Sequence, residues 1–254
     1  RLPRGPLREP ASGRGRPFMS EIVFVRHAQA SLFEADYDQL SDLGKAQAGL
    51  LGQYLASQSI ALDEIYIGPR RRHRQTGEAM IQIAPELACP VVELPQFDEH
   101  QVDRLATDYI DQLTSTFPRV HKLHQEFRTA SQAPERQRTF ASLFEAVAEL
   151  WLAGRVEQAD VESWSNFVLR VNDGVDSIVR RPGRGRRVLV LTSAGTISAA
   201  LLRALSCPDK VALGLGWRIW NCSLTRFAFS TGRFSLDQFN TMPHISDHSL
   251  WTYR

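Results

Sequence analysis

Four short apolar runs, at 22–25, 65–67, 91–94 and 188–191, punctuate the chain. They are rich in β-branched residues and continuous, with no polar alternation, which is the pattern of strands buried on both faces. Between the first two, Leu43, Ala46, Leu50 and Tyr54 recur at three- and four-residue steps. That spacing predicts a helix over 42–57 with these four residues on its packed face and Ser41 as its cap. Further helices are predicted over 70–84 and 196–205. The order strand, helix, strand, helix, strand, then strand and helix again, predicts an α/β three-layer sandwich, its mainly parallel central sheet flanked by helices. Residues 100–160 break the alternation with a mostly helical stretch carrying Leu143, Phe144, Val147, Leu150 and Trp151, read as an insertion packed beside the sheet. Near the end, residues 224–230 and 233–239 flank Thr231-Gly232, a pair suited to a hairpin at the sheet edge. No internal repeat is present.

Composition sharpens this picture in three ways. A chain of 254 residues with 43% apolar content supports one domain with an insertion. Residues 1–18, rich in Arg, Pro and Gly, have too little apolar surface to order, so they are read as a disordered leader or a segment upstream of a native start at Met19, and 19–254 as the domain. That leader holds five arginines against one glutamate, so the formal charge of +2 conceals a nearly neutral body. Neither nucleic acid nor an anionic membrane is therefore expected as a partner, and the basic run at 70–74 lacks interleaved aromatics for base stacking. The three cysteines are scattered without CxxC spacing, which fits neither a disulfide framework nor a zinc site and points to a reducing compartment. With no apolar run approaching the roughly 18 residues of a membrane span, a cytoplasmic protein is expected. The sequence is compatible with a homodimer.

Candidate chemistry gathers where the strands end, the place at which open α/β sheets bind ligands. The first strand runs into Arg26-His27, the second into GPRRRHRQT with Arg72, the third towards Glu99, and the fourth into Thr192-Ser193-Ala194-Gly195. Two guanidinium groups clamp a phosphate, and a neutral imidazole between them attacks phosphorus. Glu99, with its pKa raised by burial, would protonate the leaving alkoxide and then deprotonate water. Asp98, Asp103 and Glu93 lie near enough to compete for that role. Ser193 either contacts phosphate or caps the following helix. The arginines supply the positive charge, so no metal and no cofactor is expected, and the partner is a small-molecule phosphate ester. Residues 119–138 hold a local excess of basic groups, including Arg119, Lys122 and Arg136. A solvated helix face accounts for these better than an acidic-substrate site.

These segments together resemble the histidine phosphatase superfamily, which includes cofactor-dependent phosphoglycerate mutases. VRHAQAS is similar to the family's RHG box, with Ala28 where glycine is usual, and YDQLSDLGKAQA follows it as in the family. GPRRRHRQT resembles the segment bearing the second arginine, which assigns that role to Arg72 and not to Arg70, Arg71 or Arg74. Glu99 stands where the family's acid is expected, and NCSLTRF and FNTMPH resemble the closing strand and tail. The resemblance spans roughly 21–245. It implies a metal-independent phosphomonoester hydrolase acting through a phosphohistidine on His27, with Glu99 as acid and with Arg26, Arg72 and Ser193 on the phosphate. One departure stands out: Ser193 occupies the place of the usual second histidine, as in a branch with a TSGG turn, which implies low efficiency. The alternatives are a catalytically weak phosphate-ester-binding or regulatory protein and a phosphoglycerate mutase-like phosphotransferase. His244 and His248, in the tail, are left outside the site.

Overall fold

A computed structural model describes residues 19–31, 38–59 and 61–253, so the expectation for residues 1–18 lies outside the described residues. In chain order the elements are β1 (Ser20–Arg26), α1 (Asp42–Ser57), β2 (Glu64–Ile67), α2 (Arg71–Ile83), β3 (Val91–Glu93), α3 (Val102–Thr107), α4 (Ile110–Thr116), α5 (Pro118–Thr129), α6 (Ala133–Leu152), α7 (Trp164–Val179), β4 (Arg187–Thr192), α8 (Ala194–Leu205), α9 (Asp209–Gly216), β5 (Leu224–Ser230) and β6 (Arg233–Thr241). The strands form one sheet in the order β3-β2-β4-β1-β5-β6. The first four in that order run parallel, while β5 is antiparallel to both β1 and β6. The sheet is thus mixed, and the predicted hairpin closes at its edge around Gly232, whose φ is +74°. No described helix is long and apolar enough to cross a membrane.

Alternate residues of the central strands feed two separate cores. Ile22, Phe24, Val188 and Val190 pack with Phe167 and Val171 of α7 and Ile197 and Leu201 of α8. Val23, Val25, Leu189 and Leu191 pack with Leu51 and Leu55 of α1 and Met80 of α2. Each fully buried side chain of this size contributes about 1.5–3 kcal/mol, so the continuous apolar runs are explained by burial on both faces. Phe24 is wedged edge-on between Phe97 and Phe227, at 5.7 and 5.6 Å between centroids.

Three expectations change. Helix α1 has the predicted bounds and the predicted cap, Ser41 Oγ accepting from Gly44 N at 3.0 Å, but it packs through Gly44, Ala48, Gly52 and Leu55, with Ala46 exposed. Close packing selected the small-residue face: a Cβ at Gly44 would stand 2.1 Å from Gln29 O, and one at Gly52 2.5 Å from Met80 O. Strand β3 is not buried, since it is three residues long at the sheet edge and leaves Val91 50% exposed. Helix α7 was not anticipated, although Ser163 caps it and Trp164, Phe167, Val171, Val175 and Ile178 trace its buried stripe; nor was α9. The 100–160 stretch shares one core with the sheet residues Ile22, Phe24 and Val188 and also packs on helices. Trp151 of α6 meets Trp164 and Phe167 of α7, and Phe144 meets Trp217 after α9 edge-on at 5.6 Å.

Candidate active site

Parallel pairing of β1 with β4 sets Arg26 opposite Thr192, so the residues that follow each strand leave the sheet side by side. His27 N donates to Thr192 O at 2.7 Å. The turn beneath is pinned by Asn221, whose Nδ2 donates to His27 O at 3.1 Å, and by Cys222, whose N donates to Arg26 O at 3.0 Å from a left-handed backbone with φ 63°. His27 Nδ1 lies 2.8 Å from Ala28 O. A carbonyl only accepts, so Nδ1 carries the proton and Nε2 keeps its lone pair. Burial first, then Arg72, Arg26 and His73, hold the imidazole well below the usual histidine pKa, so it is neutral. Ala28 does not have a positive φ, and alanine therefore replaces the usual glycine without backbone strain.

Arg72 comes from the first turn of α2. Its Nη1 pairs with Asp38 Oδ1 at 2.8 Å, and Thr76 Oγ1 ties the helix to the β1 loop by donating to Arg72 O at 2.7 Å and accepting from Ala28 N at 3.1 Å. Its neighbours are engaged elsewhere: Arg70 with Asp98 and Arg74 with Glu93, both at 2.5 Å. Those pairs also remove Asp98 and Glu93 from competition with Glu99. Arg26 is anchored from the other side, Nη1 donating to Ile219 O at 2.5 Å.

Glu99 sits against the N-terminus of α8, accepting from Gly195 N at 3.3 Å and from His100 N at 2.9 Å. Only glycine permits this approach, because a Cβ at residue 195 would stand 2.1 Å from Glu99 Oε1. The expected pKa needs correction. Burial pushes the carboxyl up, but the His100 ring and N–H, Arg72 and the Gly195 N–H together hold it below the usual value. Glu99 is a carboxylate in the free protein.

Ser193 does not act as the cap that its position would allow. It is fully buried at the N-cap position of α8 but its side chain makes no capping bond, and it does not line the cavity. Its hydroxyl instead lies 2.7 Å from His73 Nε2 and 3.5 Å from Arg72 Nη2. His73 was missed, because a histidine within an arginine run reads as part of a solvated face; here it is fully buried, 5.7 Å from the His27 ring. His100, also missed, is buried among Phe144, Trp151 and Phe167, with Nε2 3.6 Å from Glu99 Oε1. No sequence signal marked it. His244 lies outside the cavity beside Tyr54, with burial pulling its pKa to about 4, and His248 packs on Trp251.

Arg26, His27, Arg72 and Glu99 thus share the floor of one cavity of about 500 Å³. Two cations, a neutral imidazole with a free lone pair, and a carboxylate are arranged to hold and attack a phosphoryl group. The sequence matches the model of the histidine phosphatase superfamily (branch 1) over residues 22–153 and 135–242. No curated protein sequence matches significantly. Among solved structures, a mycobacterial glucosyl-3-phosphoglycerate phosphatase is similar at 19% identity and TM-score 0.61, covering 88% of this chain and 99% of its own. The alpha-ribazole phosphatase of Shigella flexneri gives 14% and 0.57, with coverage of 87% and 96%. A phosphoglycerate mutase from Bacillus anthracis gives 18% and 0.59, with coverage of 89% and 96%. At such identities the likeness shows the fold alone.

Proposed function

Because this chain belongs to branch 1 of the histidine phosphatase superfamily, we propose that it hydrolyses phosphate monoesters by transferring the phosphoryl group to His27. The observation that carries this reading is the Nδ1–H bond to Ala28 O, which leaves Nε2 basic at a cavity floor also lined by Arg26, Arg72 and Glu99. In the first step Nε2 attacks phosphorus, the bond to the ester oxygen breaks, and Glu99 delivers a proton to that oxygen. An arriving phosphate dianion offsets the field of Arg72 and raises the Glu99 pKa, so substrate itself promotes the protonated form. In the second step water attacks the phosphohistidine while Glu99 takes its proton, releasing phosphate and restoring His27. Arg26 and Arg72 supply the positive charge. Ser193 acts through Arg72 and His73 as a positioning residue.

The test is to quench wild-type and His27→Ala protein during turnover under alkaline conditions. Wild type should carry an acid-labile phosphate that the variant lacks; turnover by His27→Ala at the wild-type rate sinks the mechanism. The binder reading draws on the Arg72–Asp38 pair, which holds one phosphate-clamping nitrogen in the free protein. Binding of vanadate without turnover of any ester selects it.

A further inference from the structure

The two peptide groups that follow His27 are each held at both ends. In the first, Asn221 Nδ2 donates to His27 O at 3.1 Å while Ala28 N donates to Thr76 Oγ1 at 3.1 Å. In the second, Ala28 O lies on His27 Nδ1 at 2.8 Å, and Gln29 N donates to Gln47 Oε1 of α1 at 2.9 Å. The N–H and C=O of a planar trans peptide point in opposite directions, so pinning the Gln29 N–H aims the Ala28 carbonyl at the imidazole. Gln47 and Asn221 are both fully buried, and one hydroxyl joins them. Gln47 Nε2 donates to Thr252 Oγ1 at 3.1 Å and to Leu250 O at 2.8 Å. Thr252 Oγ1 in turn donates to Asn221 Oδ1 at 3.0 Å, and Thr252 O accepts from Asn221 N at 2.7 Å.

Every direction in this chain of bonds follows from groups that cannot reverse. Gln29 N only donates and Leu250 O only accepts, which sets the Gln47 amide. Thr252 Oγ1 accepts from Gln47 and so gives its proton to Asn221 Oδ1, and Asn221 is left with Nδ2 for His27 O. The Thr252 backbone is itself seated, because Tyr253 stacks on Trp220 at 3.5 Å between centroids and Trp251 meets the same ring at 5.4 Å. Bonds that merely fastened residues 250–253 would end on the scaffold, whereas these end on the peptides that follow the nucleophile. Resting on the phosphohydrolase reading of the site, we infer that Thr252 is a positioning residue for His27. Its hydroxyl couples Gln47 to Asn221 and so keeps Ala28 O on Nδ1, which holds the proton there and leaves the Nε2 lone pair for phosphorus.

The experiment compares Thr252→Val, which keeps the shape but not the hydroxyl, with Thr252→Ser, which keeps the hydroxyl. Thr252→Val should lower kcat on an aryl phosphate about tenfold. Its affinity for inorganic phosphate should stay within about threefold, because Arg72 is held by Asp38 and Arg26 by Ile219 O. Thr252→Ser should recover most of the lost rate. Proton–nitrogen correlation spectra of isotope-labelled histidines read the tautomer directly, the His27 signals being those lost in His27→Gln. Wild type should carry the proton on Nδ1 alone, and Thr252→Val should populate the Nε2-protonated form. An unchanged His27 tautomer in Thr252→Val overturns the inference, whatever happens to rate or melting temperature. An equal loss of kcat in Thr252→Val and Thr252→Ser also overturns it. A tautomer shift in a protein that turns over no phosphate ester supports the coupling and defeats only the hydrolase reading.

Discussion

His73 Nε2 lies 2.7 Å from Ser193 Oγ, and the His73 ring stands 5.7 Å from that of His27. The histidine expected after β4 is absent, yet a second histidine reaches the His27 neighbourhood from α2 and occupies space that a larger residue at 193 would need. Burial first, then the Arg72 charge, hold His73 well below the usual histidine pKa, so it is a neutral hydrogen-bonding group.

This pairing predicts that Ser193→Ala leaves a buried ring nitrogen without its partner and destabilises the fold by about 1–3 kcal/mol. Turnover should fall about tenfold as Arg72 loses a contact. Ser193→His should be worse, since residues 73 and 193 are both fully buried and the ring has nowhere to go. Adding His73→Ser should recover stability and part of the activity. Denaturant melts and steady-state rates on the two single variants and the double variant check this; independent, additive effects would refute the coupling.

Glu99 is the proposed proton donor. Glu99→Gln should slow alkyl phosphates more than aryl phosphates, because the poorer leaving group depends more on its proton. As the free-protein carboxyl lies below its usual pKa, wild-type kcat/KM should rise on going from about pH 8 to about pH 5, with the variant flat. Equal slowing of both ester classes, or an unchanged pH profile, counts against the assignment.

Gly195→Ala tests the same contact from the other side. The added Cβ meets Glu99 Oε1 at 2.1 Å and must displace the carboxylate. We expect about a 10²-fold loss of kcat, by analogy with misplaced catalytic groups, with vanadate affinity kept within about threefold because Arg26 and Arg72 are untouched. A wild-type rate on alkyl phosphates would show that Glu99 position is immaterial.

Acid stability follows from three histidines with lowered pKa values: His27 and His73 well below, and His244 at about 4. Their contribution is present above the unfolded value of about 6.5 and lost as pH falls towards the folded values, because only the unfolded chain takes up the protons. Each fully developed difference of one proton gives a slope of about 1.4 kcal/mol per pH unit. Melting temperature should therefore drop steeply between about pH 6.5 and about pH 4. His244→Gln should reduce that slope by about one proton without changing turnover. An unaltered slope would mean His244 is not buried neutral.

Periodicity found the four parallel strands, α1, α2 and α8 because each is encoded locally, by runs of β-branched residues or by caps and three- and four-residue steps. It misjudged the packed face of α1, where the deciding contact is a glycine stripe against Gln29 O and Met80 O. Small residues carry no hydrophobic signal, so an approach distance cannot be read from periodicity. Val91 and Val92 misled for a related reason: their β propensity is local, but their exposure depends on β3 taking the sheet edge.

The sequence by itself determined the α/β class and the family, and it singled out Arg26, His27, Arg72 and Glu99 as candidates, because strand ends and flanking motifs are contiguous features of the chain. Tertiary structure alone decided what each residue does with its proton. It made Nδ1 of His27 the donor by setting it on Ala28 O, kept Glu99 ionised by placing it against α8 and His100, and set the Ser193 hydroxyl against His73 and Arg72. It also linked Gln47, Thr252 and Asn221 into one chain of hydrogen bonds ending at His27. Hydrogen-bond partners, desolvation and cavity shape are relations between groups distant in sequence, and they come into being only when the chain folds.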